Sequence, residues 1–129
     1  MISVDTNIII RFLTHDDDKQ YKKAFKIFNS NEIFIADSVI LETEWVLRYA
    51  YEYTPEDICN AFIMLFGLKN IHLSNPALTA QAIGWHKKGL DFSDAMHLTQ
   101  CQQYEKLYTF DKKFSVSAKD LTDCAVILP

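Results

Sequence analysis

Short, uncharged apolar runs alternate along the chain with longer stretches whose apolar residues recur every three or four positions. The first rhythm belongs to buried strands and the second to amphipathic helices. Ile2 to Val4 predicts a strand, and Thr6 to Leu13 a short helix directly after it. Asp16 to Asp18 offers caps for a second helix. There Tyr21, Ala24, Phe25 and Phe28 share one face, while Lys19, Lys22, Lys23 and Lys26 lie mostly on the others. Ile33 to Ala36 predicts a strand, with Asp37 or Ser38 capping a long helix whose Leu41, Trp45, Val46 and Tyr49 form one side. Trp45 and Tyr49, four apart, read as core.

Thr54-Pro55 starts another helix and Gly67 stops it. Ile71 to Leu73 reads as a strand, and Asn75-Pro76 and Gly89 bracket a further helix. Asp91 or Ser93 opens one more, with Ala95, Leu98 and Cys101 inward. Leu107 to Thr109 and Ala125 to Leu128 are the remaining strands. Strands and helices alternating at this spacing imply βαβ units. The expected fold is a three-layer α/β/α domain with a mainly parallel four- or five-stranded sheet, one domain over residues 1–129.

Composition narrows the class. With 129 residues, 49% hydrophobic and 13% aromatic, the chain can bury a core, and disorder is excluded. No apolar stretch approaches the ~18 residues of a membrane span, and no basic segment leads into an apolar one. Cys59, Cys101 and Cys124 form no CxxC pair, which points to a reducing cytoplasm. The net charge of -4 argues against a generic nucleic-acid coat. It leaves room for an enzyme that meets nucleic acid through a small basic patch and a bound cation.

The acids fall at the ends of elements. Asp5 ends the first strand, Asp37 ends the second, and Glu42 lies about one turn into the next helix. Asp91 and Asp94 flank a helix start, and Asp111 follows the strand at 107–109. Open parallel sheets bind ligands beyond the carboxyl ends of their strands. Asp5, Glu42, Asp94 and Asp111 are therefore expected to face one crevice. Two carboxylates ~4 Å apart repel by ~1 kcal/mol in water and ~4 kcal/mol at an effective dielectric near 20. Such a group calls for a hard divalent cation, Mg²⁺ or Mn²⁺, able to clamp a phosphodiester and activate water. Asp37 and Asp91 read more simply as caps, whereas Asp5 and Asp111 lie between apolar residues where no charge is required.

Four motifs then carry a resemblance. They are Ile2-Ser3-Val4-Asp5-Thr6-Asn7, Val39-Ile40-Leu41-Glu42-Thr43-Glu44-Trp45, Leu90-Asp91-Phe92-Ser93-Asp94-Ala95-Met96-His97 and Tyr108-Thr109-Phe110-Asp111-Lys112-Lys113. In this order they resemble the motifs of PIN domains, most of all VapC-type toxins, the ribonuclease half of toxin–antitoxin pairs. The resemblance implies a Mg²⁺- or Mn²⁺-dependent endoribonuclease with Asp5, Glu42, Asp94 and Asp111 as catalytic and metal-binding acids. Thr6, Asn7 and Ser93 would be polar supports and Asp91 an accessory acid. Glu44 competes with Glu42, and the spacing to Trp45 favours Glu42. A cognate antitoxin and a homodimer are the implied partners, with RNA as substrate.

The histidines show no HxxxH or HExxH spacing, so a zinc site is not expected. His97 follows Asp94 by three positions and is a candidate to orient it. Arg11, Lys112 and Lys113 are the candidate RNA contacts, with Arg48, Lys87 and Lys88 behind them; each alone reads as a solvated charge. Tyr51 and Tyr53 are candidates for an exposed partner patch, and the 55–67 helix is apolar on more than one side. Two rival functions share this fold: a PIN nuclease of RNA maturation, and a non-catalytic RNA- or protein-binding module. An aspartyl phosphotransferase is disfavoured, since Asn7 stands where a second Asp would be needed.

Overall fold

All five expected strands form, each of two or three residues, in a computed structural model that describes residues 1–129. They are β1 (Ile2–Ser3), β2 (Ile33–Ile35), β3 (Ile71–Leu73), β4 (Lys106–Tyr108) and β5 (Ala125–Ile127). Seven helices connect them: α1 (Thr6–Thr14), α2 (Asp18–Ser30), α3 (Asp37–Ala50), α4 (Pro55–Phe66), α5 (Pro76–Lys87), α6 (Phe92–Cys101) and α7 (Lys112–Ser117). The chain divides into two compact units, Met1–Pro76 and Ala77–Pro129.

In the first unit β1, β2 and β3 form a parallel sheet, with Ile2 opposite Ile33 and Ile33 opposite Ile71. Central β2 (Ile-Phe-Ile) buries both isoleucines completely, as an uncharged strand covered by helices should. Helix α1 packs on α2 and α3, and α4 packs on α3 and β3. Local chemistry sets the helix starts. Asp17 caps α2, accepting from Gln20 N at 2.9 Å. Thr54 and Asp57 close a capping box ahead of Pro55. Neither Asp37 nor Ser38 caps α3, contrary to expectation. Ala36 holds the cap position without a side-chain bond, and Asp37 is the first helical residue.

In the second unit β4 and β5 pair in parallel, Lys106 opposite Ala125, with α7 between them in the chain. The five strands thus lie in two parallel sheets rather than one. Lys106 and Tyr108 of β4 are exposed on either side of half-buried Leu107, so this strand keeps one face in solvent. Helix α7 was not anticipated; its six residues are too few to show a helical period.

The largest departure from the sequence reading is in α3. Its inward face is Ile40, Thr43, Glu44 and Leu47, while Trp45 and Tyr49 are 56% and 60% exposed. A hydrophobicity pattern puts tryptophan inside and glutamate outside. Here the reverse holds because Arg48, one turn on, grips the Glu44 carboxylate with Nε–Oε2 at 2.8 Å and Nη2–Oε1 at 3.2 Å. Phe25 is exposed too, and Phe12 instead stacks on Phe28 with ring centroids 4.2 Å apart. Tyr51 is not part of an exposed patch: it is half-buried and its hydroxyl donates to Asp16 at 2.6 Å. On α4, Ile58, Cys59, Phe62 and Leu65 are buried, while Ile63 and Met64 remain in solvent.

Candidate active site

The second unit holds a cavity of about 280 Å³ lined by Asp91, Asp94 and Asp111, with Lys113 beside them. Gly89 ends α5 at φ +115°, a conformation that side chains disfavour, and turns the chain into Leu90-Asp91 at the cavity rim. Asp91 caps α6, its Oδ2 accepting from Asp94 N at 3.2 Å. Asp111 follows β4 and caps α7, its Oδ1 accepting from Phe114 N at 3.1 Å. The Asp111 N–H in turn donates to Thr109 Oγ1 at 3.0 Å. Asp111 therefore has the cap role that its sequence surroundings did not suggest. Capping uses one carboxylate oxygen and leaves the other.

Asp94 lies one turn into α6 and is half-buried. Burial, then the charges of Asp91 and Asp111, push its carboxyl above the ordinary carboxylate range, with His97 acting weakly the other way. Like charges thus meet in this cavity, and Asp94 and Asp111 are two of the four acids expected to share a crevice. Ser93 Oγ lies 3.3 Å from His97 Nε2, so the structure pairs Ser93 with the histidine. Lys112 is exposed and lies outside the cavity lining.

The first unit carries the other candidates. Asp5 follows β1 and caps α1, its Oδ1 accepting from Thr6 N at 2.8 Å. Because β1 and β2 run parallel in register, Asp5-Thr6 and Ala36-Asp37 leave the same end of neighbouring strands. Two buried oxygens there have no hydrogen-bond partner, Thr6 Oγ1 and Asp37 Oδ1. The half-buried Asp37 is not a cap, and sequence spacing gave no sign of its orphaned oxygen. Glu42 is exposed on α3, whereas Glu44 is 2% exposed and bound by Arg48. Asn7 lines a separate cavity of about 410 Å³ with Arg11 and Lys23. The Arg11 guanidinium is engaged by Asp16 and by Tyr51, each at 3.0 Å.

The donor set in the second-unit cavity is hard oxygen. No three His, Cys, Asp or Glu side chains are gathered tightly enough to hold an ion by themselves. That fits Mg²⁺, which is usually held by one or two carboxylates and completed by water and substrate phosphate. It does not fit a closed protein cage of the zinc type. The PIN domain family model matches residues 2–120. The chain belongs to the PIN domain family. PIN domains are nucleases that generally depend on divalent metal, so at family level this chain is a hydrolase. No curated protein matches it. Among solved structures this PIN domain is similar to Mycobacterium tuberculosis VapC20, described as a sarcin-ricin loop cleaving toxin. The identity is 19%, covering 91% of this chain and 95% of that one, with a TM-score of 0.46.

Proposed function

We propose that this PIN domain is a Mg²⁺- or Mn²⁺-dependent endoribonuclease acting as a VapC-type toxin in the cytoplasm, as a homodimer restrained by a cognate antitoxin. The observation that carries the reading is the cavity where Asp91, Asp94 and Asp111 meet, in which burial first and the two neighbouring charges second raise the Asp94 carboxyl. Asp5, Glu42, Asp94 and Asp111 form the proposed carboxylate set, with Asp91, Ser93, Thr6 and Asn7 as supports. Asp94 and Asp111 are the oxygens of the cavity proposed to hold the ion. A bound cation supplies charge for the phosphodiester oxygens and lowers the pKa of an attacking water. The capping bonds of Asp91 and Asp111 hold their remaining oxygens in fixed directions. Asp94, half-buried and facing the charges of Asp91 and Asp111, is the carboxylate that a cation in this cavity would relieve most. Lys113 brings a positive charge to the same cavity, where it meets substrate phosphate.

The test is incubation with total cellular RNA in Mg²⁺ or EDTA, followed by mapping of the cut ends. Cleavage in Mg²⁺ alone, leaving 5′-phosphates and 3′-hydroxyls, is expected. Asp94→Asn should lower it by at least ~100-fold. Asp5→Asn should do the same while keeping α1 capped, since Asn caps as well as Asp. Wild-type-like cleavage by both variants, or cleavage indifferent to EDTA, rejects the reading. A small antitoxin gene beside this one separates the toxin role from RNA maturation.

A further inference from the structure

Exposed aromatic side chains usually move among several rotamers, yet two on α3 are braced in place. The Trp45 and Tyr49 ring centroids lie 5.1 Å apart at an interplanar angle of 49°. The Arg48 guanidinium sits 4.6 Å from the Tyr49 ring centre, and its Nη1 donates to Tyr49 Oη at 3.2 Å. Arg48 is itself fixed by buried Glu44. A buried carboxylate therefore anchors a guanidinium, which braces a tyrosine, which packs on a tryptophan. Such preorganisation removes part of the ordering cost that a ligand would otherwise meet.

Glu42, Trp45 and Tyr49 fall at i, i+3 and i+7, within roughly 60° of arc on α3, and all three are exposed. Along the helix axis Trp45 stands ~4.5 Å and Tyr49 ~10.5 Å beyond Glu42. We infer that Trp45 and Tyr49 form a stacking platform for an unpaired base of the RNA substrate beside Glu42, an inference that rests on the nuclease reading above. Every base has a π face, so the platform tolerates sequence and selects strandedness, because a duplex hides its base faces.

A second copy of the chain fits this stripe less well. The two rings expose roughly 250 Å² between them. A stable dimer buries ~800 Å² on each partner. The stripe also runs into the carboxylate of Glu42, a group that a dry interface would have to desolvate.

The experiment follows tryptophan fluorescence of D94N protein titrated with a single-stranded oligoribonucleotide and with its duplex. Trp85 is buried and supplies a constant background. Strong quenching by the single strand and little by the duplex is expected. Trp45→Ala should weaken single-strand binding about 5- to 100-fold, and Trp45→Phe should restore most of it. In the cleaving enzyme, Trp45→Ala should raise KM more than it lowers kcat. Unchanged binding and unchanged KM in a folded W45A protein overturn the platform while leaving the nuclease reading intact. If sedimentation shows W45A or Y49A turning a dimer into a monomer, α3 with Ile63 and Met64 of α4 is a subunit interface and the platform is overturned. Trp45-dependent strand binding by a protein that never cleaves supports the platform and sinks the nuclease reading.

Discussion

Replacing Arg48 by methionine tests the unusual inside of α3. The substitution keeps the aliphatic stem and removes the two bonds to Glu44, at 2.8 and 3.2 Å. Glu44 is 2% exposed, so its carboxylate is left buried without its cation. Breaking a buried pair from one side costs ~3–5 kcal/mol. The Arg48 side chain is 34% exposed, so water reaches the vacated site and places the cost toward the lower end, ~2–4 kcal/mol. At ~3–4 °C per kcal/mol for a chain of this length, Tm should fall by ~6–16 °C. Replacing both partners, Glu44→Leu with Arg48→Met, removes the stranded charge and should recover most of that loss. Thermal and urea unfolding of the wild type, both single variants and the double variant give the cycle. An R48M protein within ~0.5 kcal/mol of wild type, or a double variant as unstable as the summed singles, would refute the account.

The raised Asp94 pKa fixes a sign for stability against pH. Above the ordinary value of 3.8 the native state holds more of this proton than the unfolded chain does. The stability from protonated Asp94 is therefore full below that value and is lost as pH rises through the folded-state pKa. In EDTA, D94N should match wild type in acid and unfold at a higher temperature at pH 7; a lower Tm there contradicts the repulsion argument. Thr6→Val should leave Tm unchanged or raise it, because an unpaired buried hydroxyl costs ~1–3 kcal/mol. A loss above ~1 kcal/mol in calorimetry would mean that the hydroxyl is bonded after all.

Elements marked by strong local chemistry were legible in the sequence. Thr54-Pro55 and Gly89 delimit helices because capping and positive φ are properties of single residues, whereas Gly67 ends α4 at φ -79°, without using glycine's left-handed freedom. The short apolar runs became strands because uncharged segments that must be buried have few alternatives. What failed depended on partners distant from the local pattern. Trp45 came outside because Arg48 made Glu44 acceptable inside, and no hydropathy pattern contains that pair. Asp94 and Asp111 line one cavity, but Asp94 lies in the first turn of α6, which follows α5 and no strand, so strand ends alone do not account for their meeting. The use of Asp5 and Asp111 as caps, and the refusal of Asp37 to be one, depend on backbone angles that composition does not carry.

Asp5, Asp91 and Asp111 each tether one oxygen to a backbone N–H at the head of a helix. Asparagine fills that structural post as well as aspartate does, and the two residues are one nucleotide apart in the genetic code. On the nuclease reading proposed above, a single transition at Asp5 or Asp111 disarms the protein and leaves its helix caps in place. The chemistry and the architecture of these three positions are therefore separable: one oxygen of each carboxylate can change while the bond that starts the helix stays.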